Sequence, residues 1–254
     1  MAERGRFVTR LVRESDIPAV ARIRYDAFNN NPRNTTRDEM SAILALEIDP
    51  ELQRIPTRAE SIAQLERINR ELLASGKVHV VGIYHLPAGS SSPPPPPLTL
   101  PEAQGEDRDA SDLPPDSVLA GLAIWQYIDE HTPSDIPESN KKELEAPTLL
   151  NRFFAKMNRT REAAMQGKRY WFLKLLVIDP EFQRQGLGTI LVKWGTARAD
   201  KDGVHAWLES SPMGKGAYLK AGFKVLGLDR VDEPRAEKGY LEWPYMLHEP
   251  RTVA

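Results

Sequence analysis

A nearly continuous apolar run, RYWFLKLLVI at residues 169–178, is the feature that most restricts what this chain can fold into. A strand with apolar residues at both odd and even positions has to be covered on both faces, which is typical of sheets with parallel neighbours. The run is followed by DPEFQRQGLG at 179–188, a helical pattern at 188–203 and a second apolar strand at 204–210. If the two strands are neighbours, they are parallel and joined by a right-handed crossover. We therefore expect an α/β fold built on a strand–loop–helix–strand unit.

Strand-like and helix-like patterns also occur on both sides of this unit. Alternating or β-branched runs are typical of strands, and apolar residues at spacings of three and four are typical of helices. The predicted strands are 6–12, 77–86, 117–128, 169–178 and 204–210, with closing strands in FKVLGL and YMLHE, and the predicted helices are 14–28, 57–76, 148–168, 188–203 and 214–223. Together they predict an α/β fold of the α+β type, with a mixed central sheet of about six to seven strands flanked by helices.

One segment, residues 87–117, differs from the rest in composition. It contains nine of the 21 prolines and six acidic residues against one basic residue. Such a composition cannot bury a core and is typical of a disordered loop. The strands at 77–86 and 117–128 flank it and most simply form an antiparallel hairpin. We expect a single domain, residues 1–254, with a Pro-rich, acidic, disordered insertion in that hairpin; a docking role for a proline-recognising partner is the alternative.

Composition excludes several classes of function. The formal net charge is −2, so no overall basic field favours nucleic acid, and no apolar run reaches the roughly 20 residues that span a bilayer. The chain has no cysteine, and its five histidines lack the i, i+4 spacing of a helical metal site. The first residues carry charge without an apolar core, unlike a secretory signal. We expect a cytoplasmic protein, with the nucleus left open, that uses no metal, nucleic acid or membrane.

The loop DPEFQRQGLG has the chemistry of a pyrophosphate site. A helix that begins after Gly186 presents backbone N–H groups without partners and a partial positive charge. Glycine lets a phosphate approach the main chain, and Arg184 adds a mobile positive charge. The loop lacks the spacing of a Walker A motif and the third glycine of a dinucleotide fingerprint. A tight strand–helix turn also requires glycine, so these arguments alone leave a purely structural role open.

The loop resembles the acyl-CoA-binding loop of the GNAT superfamily of N-acyltransferases, because Gln183, Gly186 and Gly188 fit the pattern [QR]-x-x-G-x-[GA]. The stretch LESSPMGKGAYLKAGF is similar to the family's region from the fifth strand to the fourth helix, and the opening RLVRESDIPAVARIRYDAF is similar in style to its first strand and helix. The resemblance covers nearly the whole chain except the insertion and residues 30–60 and 130–150. It implies the GNAT fold, in which strands 4 and 5 are parallel and splayed.

The resemblance also implies acetyl-CoA as the cosubstrate and two sets of cofactor contacts. In the family, the strand before the loop pairs with the pantetheine arm, and the N–H groups of the loop hold the pyrophosphate. The first role carries over to Leu176, Val177 and Ile178. The second carries over to Gln183, Arg184, Gln185, Gly186, Leu187, Gly188 and Thr189.

Two residues are candidates for proton transfer. Tyr218 matches the family tyrosine near the thioester sulfur, and a phenol with a pKa of about 10 keeps its proton for delivery to a thiolate; packing on an amphipathic helix is the alternative. Glu209 is a candidate base, although a strand-end acid held in an ion pair is the simpler interpretation. The positions that carry a base in some members are Phe172 and Lys174 here. Lys174 is expected to pair with an acid, to reach solvent or to line the acceptor pocket.

These features predict an N-acetyltransferase that transfers an acetyl group from acetyl-CoA to a primary amine, with a small molecule as the acceptor. The absence of a base at the usual position keeps a non-catalytic acyl-CoA-binding module, a sensor or scaffold, as an alternative. A protein N-acetyltransferase is a further alternative, and an unrelated nucleotide-binding module is a third. The oligomeric state, monomer or homodimer, stays open.

Overall fold

A mixed seven-stranded sheet forms the centre of the protein in a computed structural model that describes residues 6–29, 39–49, 51–86, 113–132, 148–211 and 213–251. The strand order is β1-β2-β3-β4-β5-β7-β6, and every adjacent pair is antiparallel except β4 and β5, which are parallel. The strands are β1 (Arg6–Leu11), β2 (His79–Leu86), β3 (Val118–Ile128), β4 (Tyr170–Ile178), β5 (His205–Glu209), β6 (Lys224–Asp232) and β7 (Tyr240–His248). The predicted fold class is confirmed.

Helices cover both faces of the sheet. They are α1 (Ile17–Phe28), α2 (Glu39–Leu44), α3 (Arg58–Ala74), α4 (Leu149–Met165), α5 (Leu187–Asp202) and α6 (Lys215–Lys220). On one face, Leu191 of α5 shares an apolar cluster with Leu208 of β5. On the other face, Ile23 of α1 packs with Val177 of β4, and Met165 of α4 packs with Trp207 of β5. No helix in the described ranges has the length and apolar character needed to cross a membrane.

The strands that flank the proline-rich segment form the expected hairpin. β2 and β3 are antiparallel neighbours, and their pairing reaches His85 opposite Val118. Residues 87–112 of the predicted insertion lie outside the described residues. Its last part is described, and Leu113 packs against the cluster formed by β1–β3 and α1. The core therefore takes in a residue that composition alone had assigned to the insertion.

The pairing of β3 with β4 changes register in the middle of β4, because this strand contains a β-bulge. Ile124 of β3 faces Leu175, but the next residue, Trp125, faces Leu173. Lys174 is therefore an extra residue on β4, and its side chain is exposed. A bulge bends its strand, and each side chain after it lies on the face opposite to the one that it would occupy in a regular strand.

The two parallel strands, β4 and β5, separate next to this bulge. β4 and β5 pair at three positions, the last being Phe172 opposite Trp207, while β4 continues to Ile178 without pairing with β5. The expectation that the whole run 169–178 is buried on both faces is therefore wrong beyond Leu173. The next residues are exposed or half-buried, with Val177 as the buried exception, because no strand adjoins them on the β5 side.

Helix α5 lies close to β3 because a glycine faces a tryptophan. A Cβ at Gly195 would lie 2.2 Å from Cε2 of Trp125, and Trp125 is fully buried. The Trp125 indole N–H also donates to the carbonyl of Leu191, one turn earlier, at 3.3 Å. This contact sets how closely the helix approaches the sheet.

We expect Gly195→Ala to destabilise the fold, because the methyl group would overlap a buried ring that has no space to move. The expected loss is about 1–3 kcal/mol in the free energy of unfolding, measured by denaturant titration. Gly216→Ala in α6 is the control, since its Cβ would meet no atom within 4 Å. That variant should be neutral or up to about 1 kcal/mol more stable. Equal effects in the two variants would contradict the packing argument.

We propose that residues 88–112 are dispensable, which would make the chain one domain with an insertion. Their composition offers little apolar surface to a core, and the flanking hairpin pairs independently of them. Replacing them with a short Gly-Ser turn should leave the melting temperature unchanged or slightly raised, because a shorter loop costs less closure entropy, by up to about 1 kcal/mol. A large fall in the melting temperature would show that the segment is part of the core.

Candidate functional site

The loop that follows β4 is fixed at its start by a buried aspartate. The Asp179 backbone N–H donates to the carbonyl of Ala120 at 2.9 Å, and its carboxylate accepts from the Glu181 N–H at 3.0 Å. Arg22 of α1 forms an ion pair with the other carboxylate oxygen at 2.9 Å. The Asp179 side chain is only 4% exposed. These contacts tie the loop to β3 and to α1 at once.

Two residues of the loop have left-handed backbone conformations. Arg184 has φ of 65° and Gly186, which immediately precedes α5, has φ of 83°. A Cβ at Gly186 would meet no atom within 4 Å, so the backbone angle and not crowding requires glycine there. Gly188 differs, because its Cβ would lie at ordinary contact distances, 3.6 Å from Leu176 and 3.9 Å from Ile178. The turn therefore requires the first glycine, whereas a Cβ at the second would be accommodated against β4.

The head of α5 presents a row of unpaired donors. Within the described chain, the N–H groups of Gln185, Gly186, Leu187 and Gly188 have no hydrogen-bond acceptor. The Thr189 N–H is the first that bonds back, to the Gly186 carbonyl at 3.0 Å. Free N–H groups at a helix start, combined with the helix dipole, favour an anion. The exposed Arg184 adds a full positive charge beside them.

The last part of β4 offers a free backbone edge next to this loop. Leu176, Val177 and Ile178 pair with β3 on one side, and none of them pairs with β5 on the other. Because Asp179 and Ala120 form a hydrogen-bonded pair, the backbone groups of Leu176 and Ile178 point to the β5 side and those of Val177 point to β3. The Ile178 carbonyl accepts from the Gln183 side chain at 3.3 Å, and the other groups on the β5 side are available to an extended ligand, as in strand addition. The structure brings this edge and the head of α5 together, with Gly188 beside Leu176 and Ile178.

Tyr218 lies on α6 in the apolar cluster beneath α5. Its side chain is buried, with the ring against Phe223 and close over Gly214. No described residue forms a hydrogen bond with its hydroxyl, and burial alone raises the pKa of this phenol. Tyr218 therefore holds its proton at neutral pH.

The contacts of Glu209 are those of a strand-end acid that is held in an ion pair. Its side chain is 3% exposed, it accepts from the Trp207 indole at 2.7 Å, and it lies 3.5 Å from the guanidinium of Arg161. Burial raises the pKa of Glu209, and the charge of Arg161 opposes that increase. Trp207 belongs to the cluster under α4, whereas Tyr218 belongs to the cluster under α5. The two candidates for proton transfer thus lie on opposite faces of the sheet.

Lys174 reaches solvent, as one of its three expected alternatives allowed. Its ammonium donates to the side-chain oxygen of Gln126 at 2.9 Å and lies 5.6 Å from the ring centre of Phe172. Arg161 lies over the same ring at 3.9 Å. The α4 face of the sheet near the gap between β4 and β5 therefore carries two cationic side chains.

Sequence reasoning missed two residues of this region, Arg22 and Arg161. Each lies in an amphipathic helix that contains other arginines, and their partners, Asp179 and Glu209, are distant in the chain. The local signal in the sequence is the Asp-Pro pair at 179–180, which is typical of a turn and does not specify an arginine partner. The identity of the arginine partners depends on how α1 and α4 pack, which no local pattern encodes.

A cavity of about 660 Å³ lies elsewhere, beneath α2. Its walls are mostly apolar and are formed by Glu39, Ala42, Ile43, Ala45, Leu46, Ile55 and Arg235. It shares no residue with the glycine loop or the free edge of β4, so the candidate site is defined by the backbone donors and not by this cavity. Among the described residues, no group of three or more His, Asp or Glu side chains is arranged to hold a metal ion.

Comparison with known proteins points to the region of the chain that contains β4 and the glycine loop. Residues 140–240 match the family model described as an acetyltransferase (GNAT) domain. A curated acetyltransferase of Stachybotrys chartarum (strain CBS 109288 / IBT 7711) is 26% identical over 130 residues. That match covers 51% of this chain and 53% of the relative, so the chain spans about half the length of the curated relative it matches.

Solved structures of acetyltransferases have the same fold. A mosquito arylalkylamine N-acetyltransferase like 5b superposes with a TM-score of 0.54 at 14% identity, covering 96% of this chain and 100% of that one. Arylalkylamine N-acetyltransferase 2 from Aedes aegypti gives 0.53 at 12% identity, covering 96% and 99%. A Drosophila melanogaster polyamine N-acetyltransferase that forms N-acetylagmatine gives 0.50 at 13% identity, covering 96% and 100%. At these identities the likeness concerns the fold alone.

Proposed function

We propose that the chain is an acetyltransferase of the GNAT superfamily, whose domain model matches residues 140–240, and that it transfers the acetyl group of acetyl-CoA to a primary amine of a small molecule. The observation that carries this proposal is the pairing of two features at one end of the sheet. Free N–H groups at the head of α5 suit a pyrophosphate, and the free edge of β4 beside them suits an extended pantetheine arm.

The cofactor contacts follow from this placement. The N–H groups of residues 185–188 would bind the pyrophosphate oxygens, with Gln183, Arg184 and Thr189 completing the loop around them. Leu176 and Ile178 would pair through their backbone with the amide groups of pantetheine, and Val177 between them would hold the strand to β3. A backbone N–H of this free edge would donate to the thioester carbonyl, where negative charge develops during attack by the amine.

The chemistry needs few side chains. The neutral amine attacks the thioester carbonyl, the carbonyl re-forms, and the carbon–sulfur bond breaks with the electron pair leaving on sulfur. Tyr218 donates its hydroxyl proton to that thiolate. The product nitrogen loses a proton to solvent, and solvent returns a proton to Tyr218. Its hydroxyl has no other partner among the described residues, which leaves the proton available. Most of the remaining acceleration would come from holding the two reactants in place.

Glu209 is given a positioning role in this proposal. Its carboxylate is occupied by Trp207 and Arg161, so it would hold β5 and α4 together beside the gap instead of accepting the proton of the amine. Water in the open gap between β4 and β5 would take that proton. The acceptor is proposed to be a small amine because the names of similar structures include arylalkylamine and polyamine acetyltransferases.

Replacing Gly186 tests the cofactor loop. Gly186→Ala should weaken acetyl-CoA binding strongly in calorimetry, because an L-residue disfavours the left-handed conformation that aims the N–H groups. Gly203→Ala is a matched control at the other end of the same helix, where φ is 65° and the Cβ would also meet no atom. Each variant should lose about 1–2 kcal/mol of stability, but only the first should lose affinity. Equal affinities in folded variants would reject the loop assignment.

Tyr218→Phe tests the proton donor. The ring and its burial are retained, so acetyl-CoA affinity should change little, whereas turnover with a saturating amine should fall about 10²–10⁴-fold. Tyr127→Phe removes a half-buried hydroxyl from the same apolar cluster and should keep its rate. A rate for Tyr218→Phe within a few-fold of the original would remove this residue from the mechanism. Binding without turnover of any amine in the unmodified protein would support a non-catalytic module.

A further inference from the structure

One side chain of the glycine loop packs against the far edge of the sheet. Phe182 ends the short turn Pro180–Phe182, and the centre of its ring lies 6.1 Å from that of Phe7 in β1 and 5.4 Å from that of His85 in β2. Phe7 and His85 face each other in the register of β1 and β2, and their rings lie 5.2 Å apart. The three rings therefore contact one another, and each of them is partly buried.

This contact carries the loop sideways across the sheet. β1 is three strand spacings from β4, about 14 Å, with β3 and β2 between them. Phe182 follows closely after the end of β4 at Ile178. The loop thus turns from the end of its own strand toward β2 and β1, and the aromatic contact is where it rests on them.

The other side chains in the middle of the loop do not make a comparable attachment. Glu181, Arg184 and Gln185 are exposed. The Gln183 amide donates to the carbonyl of Ile178, which belongs to the strand that leads into the loop. Phe182 is therefore the side chain that attaches this part of the loop to a distant pair of strands.

The loop needs such an attachment because Arg184 has a φ of 65°. A residue with a Cβ disfavours this left-handed conformation and keeps it only when the surrounding structure holds it there. On one side of Arg184, α5 is held by the contact between Gly195 and Trp125. On the other side, the aromatic contact of Phe182 precedes Arg184 by two residues. The direction of the free N–H groups at 185–188 depends on both supports.

We propose that Phe182 is a positioning residue of the glycine loop, which controls the affinity for the pyrophosphate through the backbone. This role rests on the proposed binding of acetyl-CoA. The contact of Phe182 with Phe7 and His85 keeps the loop in the conformation that aims the free N–H groups at the anion. A loop that holds this conformation for only part of the time binds its ligand with an affinity reduced by that fraction.

Calorimetry with acetyl-CoA on the full chain tests the proposal with Phe182→Ala. The affinity should fall about tenfold, as expected for a loop that keeps its conformation for a tenth of the time. Phe153→Ala is the matched control, because Phe153 is also a partly buried ring with two aromatic neighbours, Phe154 at 5.5 Å and Trp243 at 4.3 Å, in a cluster that lies away from the loop. Both variants should lose thermal stability, but only Phe182→Ala should lose affinity.

Kinetics and a double-mutant cycle separate positioning from packing alone. With a saturating amine, Phe182→Ala should raise the KM for acetyl-CoA and leave kcat within a few-fold, because the reacting groups are unchanged once the cofactor is bound. Phe182→Tyr keeps the ring and should keep the affinity. Phe7→Ala should lower the affinity by itself and add little to Phe182→Ala, because both variants remove the same contact.

Two results would overturn the role of Phe182: an unchanged affinity in Phe182→Ala, or an equal loss of affinity in Phe153→Ala. Phe182→Leu keeps apolar bulk without the ring and gives the same comparison if the alanine variant does not fold. An original protein that binds no acetyl-CoA would overturn the proposed function and this role with it. Binding that does not depend on Phe182 would overturn this role alone.

Discussion

The bulge at Lys174 in β4 is the constraint on which the rest of the site depends. One extra residue in β4, opposite the step from Ile124 to Trp125, coincides with the point at which β4 and β5 stop pairing. Without this divergence, Leu176–Ile178 would be bonded to strands on both sides and would have no backbone group left for a ligand. The gap is thus a property of the sheet and not of any loop.

The second requirement is that the head of α5 stays beside this gap. Three contacts fix the helix and its loop: the Gly195–Trp125 contact against β3, the hydrogen bond from the Trp125 indole to the Leu191 carbonyl, and the Asp179–Arg22 ion pair to α1. All three lie on regular elements or at their ends, which favours a rigid arrangement of the donors. A preformed set of N–H groups binds an anion without the cost of ordering a loop.

Burial gives the two titratable groups of the region different properties. Tyr218 is surrounded by apolar groups and has no hydrogen-bond partner among the described residues, so its proton is retained but uncommitted. Glu209 is equally buried, yet Trp207 and Arg161 already occupy it. The same desolvation thus leaves one group able to donate and fixes the other in a structural network.

The sequence by itself determined the strand–loop–helix–strand unit, the hairpin around the proline-rich segment and the residues of the glycine loop, because periodicity, turn residues and spacing are local properties. Through its resemblance to a family motif it also made Tyr218 a candidate proton donor. Only the tertiary structure decided where β4 stops pairing with β5, that Lys174 is the bulged residue, and that Arg22 and Arg161 are the partners of Asp179 and Glu209. Each of these depends on the register between strands or on the packing of a helix against a distant element, and such relations between remote residues leave no periodic pattern in the chain.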